Sequence, residues 1–203
     1  VFHSELKSNT QQIIPLHIEL SILKGDAMAW AIEKSTELGI QTLTPVLTQR
    51  TVVQTKDKGL QHFQERWQKI ADQSLKQCGR HTRMEICQPL PLDELLNTYP
   101  ACASAPRLFC DELLCTNLDQ NLLSEKFLDQ TLMRPAQMRV LIGPEGGWDS
   151  SDRTLIQKIP QSHQAHTHPI ALGPLTLRAE TAVVFASSVI SSYYRYSFNN
   201  PET

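Results

Sequence analysis

Apolar and polar positions along this 203-residue chain follow two periods, and the switches between them predict the elements. Leu16 to Gly25 (LHIELSILKG) has strand composition and closes in a turn. Asp26 is then placed to cap a helix through AMAWAIEKSTEL, ended by Gly39. IQTLTPVLT returns to strand character, with Pro45 predicting an edge position or an early end. Over residues 59–79, Leu60, Phe63, Trp67, Ile70 and Leu75 recur at near-helical spacing up to Gly79, and Phe63 and Trp67 read as core. A short apolar MEIC precedes a helical LDELLNTY, and ASAPRLFCDE supplies another strand. MRVLIG is a continuous apolar run, as expected of a strand covered on both faces. SSDRTLIQKI reads as a helix with Ser or Asp caps, THPIALG as a strand, and TAVVFASSVISSYYRY as a helix of small residues. The pattern is weakest over residues 113–137, where a surface helix plus loop is expected. Strands alternating with helices point to an α/β fold with a mainly parallel sheet.

Composition changes this picture little. A hydrophobic content of 40% and a charged content of 20% are those of a soluble globular protein, and no apolar run reaches the roughly 18 residues of a membrane span. The first ten residues, VFHSELKSNT, lack the basic start and apolar stretch of a signal peptide. With no initiator Met and no recognisable element before about Ile13, further residues are expected upstream. Five irregularly spaced cysteines without a CxxC suggest free thiols in a reducing cytoplasm rather than disulfides or zinc. His163, His166 and His168 cluster on a loop and strand start with no Cys or carboxylate beside them, so no metal is expected.

Charge is more informative where it is local. The net charge is −2, yet residues 50–83 hold eight Lys or Arg against Asp57, Glu65 and Asp72. Such a patch could hold phosphates, or could simply be a solvated helix face. Arg80 and Arg83, clustered past a helix end, are the better phosphate candidates, with Arg50 beside them. Glu33, Lys34 and Glu37 sit at helical spacing and could pair among themselves, leaving Lys34 as a further phosphate candidate.

Three of the eight glycines fall in VLIGPEGGWDSSD, Val140 to Asp152, at a strand end. In an open α/β sheet ligands sit beyond such ends. Gly143, Gly146 and Gly147 can take positive φ and admit a ligand close to the backbone, and Pro144 stiffens the turn. A tight strand-to-helix connection with no ligand is the competing reading. The segment is neither a Walker A loop nor a GxGxxG fingerprint, which disfavours phosphate cradling. About 25 residues on, IALGPLTLRAETA repeats strand, Gly-Pro turn and helix. Two such turns could enclose a flat, mostly apolar ligand such as an adenine.

IEKSTELGI, RWQKIADQSLKQCGR, LIGPEGGW and LGPLTLRAETA, in that order, resemble the RsmE family of 16S ribosomal RNA (uridine-N3) methyltransferases, in the SPOUT superfamily. The resemblance runs from about Leu16 onward. It implies a Rossmann-like parallel sheet flanked by helices, with a deep trefoil knot in its C-terminal part over residues 16–203. Residues 1–15 would be the tail of an N-terminal β-barrel similar to a PUA domain. It further implies S-adenosylmethionine as cofactor, a homodimer packed through the final helix, and 16S ribosomal RNA, within the small ribosomal subunit, as partner.

Carried onto this chain, Ile142 and Gly143 to Gly147 (with Pro144, Glu145 and Gly146) would form one cofactor wall. Ile170, Leu172, Gly173 and Leu177 would form the adenine side, with Thr181 and Ala182 opening the last helix against it, and Phe109 with Cys110 a further side. Methylation at uridine N3 requires removal of a weakly acidic proton or stabilisation of the anion. Arg178 is the first candidate to hold the flanking carbonyl oxygens or a phosphate. Glu180 could take the proton or orient Arg178, or could only complement the helix dipole. Glu145 could balance the sulfonium charge or cap the helix after it, and capping is the expected role. Two positions depart from the family pattern: Leu175 and Lys76 stand where Arg and Glu are usual. Rival readings are a SPOUT enzyme methylating a transfer RNA ribose 2′-oxygen, and a non-catalytic RNA-binding assembly factor.

Overall fold

The computed structural model describes residues 14–51, 59–116, 122–132 and 135–199. Of the tail expected over residues 1–15, only Ile14 and Pro15 fall among these, and Lys56, Asp57 and Lys58 lie outside them. The order is β1 (Ile14–Ser21), α1 (Gly25–Glu37), β2 (Ile40–Leu47), α2 (Gly59–Cys78), β3 (Glu85–Ile86), β4 (Leu90–Pro91), α3 (Leu92–Thr98) and β5 (Arg107–Cys110). A 3-10 turn (Glu112–Thr116) leads to α4 (Glu125–Leu132), β6 (Met138–Ile142), α5 (Ser150–Gln157), α6 (Gln161–Gln164), β7 (Thr167–Ile170) and α7 (Ala179–Asn199).

Among the described residues the strands form one sheet in the order β3-β2-β1-β6-β5-β7, with β4 also paired to β2. Every pairing is parallel, as short strands joined through helices require. Side chains alternate across each strand. Leu16, Ile18 and Leu20 of β1 and Val140 and Ile142 of β6 enter a large apolar cluster with residues of α1, α2, α4 and α7. Leu141 and Phe109 point to the opposite face, into a smaller cluster with Leu92, Leu95, Trp148 and Ile156 from α3, α5 and the turn before it. The continuous apolar run of β6 is thus covered on both sides.

Several details differ from the sequence expectations. Pro45 does not put β2 at an edge, because β1 flanks it on one side and β3 and β4 on the other. The Leu43 carbonyl accepts from Cys87 N–H and the Val46 carbonyl from Ile22 N–H. Backbone groups alternate sides, so Pro45 N faces the gap between the β3 and β4 pairings, where no ladder donor is needed. Asp26 is not the cap of α1: Lys24 holds that position without a side-chain bond, and Asp26 lies in the first turn, where a carboxylate complements the dipole. The surface helix expected within residues 113–137 is α4, which exposes Lys126 and Asp129 and buries Leu128 and Leu132 in the large cluster.

Candidate functional site

The carboxyl ends of β5, β6 and β7 converge, and the segments leaving these three strands build a cavity of about 530 Å³. That size lies within the ~300–1,000 Å³ of ordinary ligand pockets. From the turn after β6 come Ile142, Gly143, Pro144, Glu145 and Gly147; from β7 and the segment leading into α7 come Ile170, Leu172, Leu177, Arg178, Glu180 and Ala182. Two turns about 25 residues apart in the sequence are therefore two walls of one hollow. Gly146, Gly173 and Thr181 do not line it. Phe109 does not either: period-2 alternation turns its ring to the opposite sheet face, 5.1 Å from the Trp148 ring centroid, while Cys110 faces the cavity.

Two of the glycines also make room for the protein's own side chains, while their backbones line the cavity. A Cβ on Gly143 would stand 2.9 Å from the Trp148 indole, and one on Gly147 would stand 2.6 Å from Glu112 Oε1. The atoms that press against these two backbones are the protein's own. Of the three glycines in the turn, only Gly147 has a left-handed φ, +71°. Trp148 is locked in place, its Nε1–H donating to the Cys110 carbonyl at 2.8 Å.

Sequence reading missed the pair just past β5. Asp111 and Glu112 line the cavity, and Arg153 of α5 spans both, 2.8 Å from Asp111 Oδ1 and 2.7 Å from Glu112 Oε1. The same guanidinium donates to the Trp148 carbonyl at 2.6 Å. Their signal was available: they are the first residues past a strand end, where ligands bind, and carboxylates there need a partner or a ligand. Opposite, Arg50 donates to the Gly146 carbonyl at 2.7 Å and lies 3.4 Å from Asp149 Oδ2. The turn is clamped from both sides.

Glu145 does not cap the helix after it. Its carboxylate accepts from Lys24 N–H at 2.9 Å, at the start of α1. Asp149 caps α5 in a capping box with Asp152, and the Ser151 backbone and hydroxyl hold the Asp149 carboxyl below its usual range. Arg178 is exposed and Glu180 half-buried in the first turn of α7, and no ion pair joins them among the described residues. Of the remaining phosphate candidates, Lys34 pairs with Glu37 at 2.8 Å. Arg83 forms a two-bond pair with Asp72, and half-buried Arg80 donates to the Thr36 carbonyl at the end of α1. None of the three belongs to the cavity lining. No described helix is long and apolar enough to cross a membrane, and no three His, Cys, Asp or Glu of the described residues are grouped to hold a metal.

A family model described as an RNA methyltransferase domain matches residues 10–191. Ribosomal RNA small subunit methyltransferase E of Synechocystis is 30% identical over 180 residues, which are 88% of this chain and 54% of that protein. The Bacillus subtilis protein of the same name is 27% identical over 90% of this chain and 68% of its own length. The chain thus spans little more than half of the first relative and about two thirds of the second. Among solved structures, a candidate methyltransferase from Legionella pneumophila in complex with S-adenosylmethionine superposes with a TM-score of 0.72 at 26% identity, over 88% of this chain and 66% of that one. The fold is also that of the Neisseria gonorrhoeae ribosomal RNA small subunit methyltransferase E, at a TM-score of 0.70 and 22% identity, over 91% of this chain and 69% of that one. With a cavity built at the strand ends and a family match across most of its length, the chain belongs to the RNA methyltransferase domain family.

Proposed function

We propose that this chain is an S-adenosylmethionine-dependent methyltransferase that modifies N3 of a uridine in 16S ribosomal RNA, within the small ribosomal subunit. The carrying observation is the cavity walled by the turns after β6 and β7, with Arg178 on its rim. The residues fit the cofactor. Ile142, Ile170, Leu172, Leu177 and Ala182 offer an apolar surface for an adenine, and Asp111, Glu112, Glu145 and Glu180 offer negative charge to a cationic ligand. Bound there, S-adenosylmethionine supplies an electrophilic methyl group.

The protein's part is positioning and charge. Main-chain groups of the two turns hold the donor in one geometry, which converts the transfer to an effectively unimolecular step. Exposed Arg178 faces the entering base, where its permanent charge stabilises the anion that forms across the uridine carbonyl oxygens as N3 loses its proton. Its lining position supports Glu180 as the group that takes that proton.

Two finer features belong to the same reading. α7 leaves β7 at the sheet edge yet packs on β1, β6 and α1, and Ala171 bridges Leu122 in the β5–α4 connection. This crossing supports the reading of a SPOUT-type C-terminal trefoil knot. Trp30 of α1 and Phe185 of α7 are exposed, 40% and 38%, on the helices that a homodimer would pair.

Incubation with labelled S-adenosylmethionine and small subunits lacking the modification, followed by nucleoside mass spectrometry, tests the reading. The expected product is N3-methyluridine. Ribose methylation would favour a 2′-oxygen enzyme, and RNA binding with no product would favour an assembly factor. In Arg178→Ala, methylation is expected to vanish while calorimetry still detects cofactor binding; normal turnover removes Arg178 from the mechanism.

A further inference from the structure

Lys34 and the basic segment at residues 50–83, singled out from sequence, divide in two once folded. Lys34, Arg80 and Arg83 are engaged with Glu37, the α1 C-terminus and Asp72. Arg66, Lys69 and Lys76 of α2 are not: all three are exposed, and no ion pair joins any of them to a carboxylate of the described residues. At 3.6 residues per turn, His62, Arg66, Lys69, Gln73 and Lys76 fall within an arc of about 80°. That arc is opposite the face on which Trp67, Ala71 and Ser74 are buried. Every member is an exposed donor or cation. Glu65 lies to one side of the arc, and Asp72, on the same flank, is taken by Arg83.

Orientation gives this stripe a direction. α2 links β2 to β3, which run parallel in the sheet, so the helix runs back along the strands. Its first turn lies at the level of the strand carboxyl ends, on the β2–β3 side of the sheet, and Lys76 lies toward the level of the strand starts. We propose that the Arg66–Lys69–Lys76 stripe is a docking track for the phosphate backbone of the RNA substrate, leading away from the cavity mouth. The argument is charge complementarity: long exposed cations in no ion pair among the described residues, at one-turn and two-turn intervals, match a polyanion, with Gln73 and His62 between and beyond them. A chain of net charge −2 has no general attraction for RNA to replace such a track. The proposal rests on the methyltransferase reading given above.

The test compares the protein with its Arg66→Gln, Lys69→Gln, Lys76→Gln triple variant. Affinity for a small-subunit ribosomal RNA transcript is measured across a salt series. Three lost phosphate contacts should lower the slope of log K against log salt by about 2 to 3, with cofactor affinity by calorimetry unchanged. A second triple variant, Lys126→Gln, Lys158→Gln, Arg195→Gln, removes the same charge elsewhere and should keep the parental slope. Equal slopes for the parent and the α2 variant overturn the track alone, as does an equal loss in both variants. If the parent binds no RNA, both the track and the methyltransferase reading fail.

Discussion

The four-residue strand β5 carries a carboxylate–guanidinium cluster at each end, and the two do different work. At its start, Arg107 bonds Glu19 at 2.6 and 2.9 Å, with both side chains at 1% exposure or less. Arg107 also donates to the Tyr99 carbonyl, and Arg139 stands 3.4 Å from Glu19 and 4.7 Å over the Tyr99 ring. Just past its end, Asp111 and Glu112 meet Arg153, with side-chain exposures of 13%, 29% and 18%. The first cluster is sealed under α3, and nothing in it reaches the cavity. The second lines the cavity and holds the turn that walls it. The difference is solvent: ions removed from water must satisfy one another completely, whereas ions left at a cavity rim keep capacity for a ligand.

Matched substitutions would break the comparison if it is misconceived. Arg107→Met strands a buried carboxylate, and denaturant unfolding should show a loss of about 3 kcal/mol, the low end for a broken buried pair because Arg139 remains nearby. Replacing Glu19 by Met as well should recover most of that loss. Arg153→Met should lower stability by only about 1–2 kcal/mol yet weaken S-adenosylmethionine binding roughly tenfold, equivalent to about 1.4 kcal/mol. Equal effects of the two substitutions on cofactor affinity would erase the distinction.

The smallest effect concerns pH at the buried cluster. His17, register partner of Arg139, is held below its usual value first by burial and then by the Arg139 charge. The unfolded chain accepts a proton near pH ~6.5 that the folded state resists, so stability should fall as pH drops through that value. His168, lowered by burial and by His166, acts in the same window. Unfolding compared at about pH 7.5 and about pH 5.5, on either side of that window, should show His17→Gln losing less stability than the parent. An identical loss would show that His17 contributes none of it.

Much of this was legible in the chain. The helix with Phe63 and Trp67 and the double-sided strand at Met138–Ile142 arise from spacing and local hydrogen bonding, which need no distant partner. The two Gly-Pro turns marked the site because strand ends are where ligands bind. Pro45 and Asp26 misled because each rule concerns one backbone position, and its outcome depended on which neighbour arrived. Phe109 misled because a strand's parity cannot be read before its faces are known. Arg80 and Arg83 looked like free cations until folding supplied Thr36 and Asp72.

Sequence alone therefore determined most of the segments that become strands and helices, though not β4 or α6, and that two turns near the carboxyl terminus matter. Periodicity and turn chemistry act within a few residues, and those preferences survive in any fold. Only the tertiary structure decided that Glu112 would press on Gly147, that Glu145 would reach back to α1, and that Arg66, Lys69 and Lys76 would form no ion pair among the described residues. Such pairings join residues as much as 121 apart, and they are set by strand order and sheet face, which no local pattern encodes.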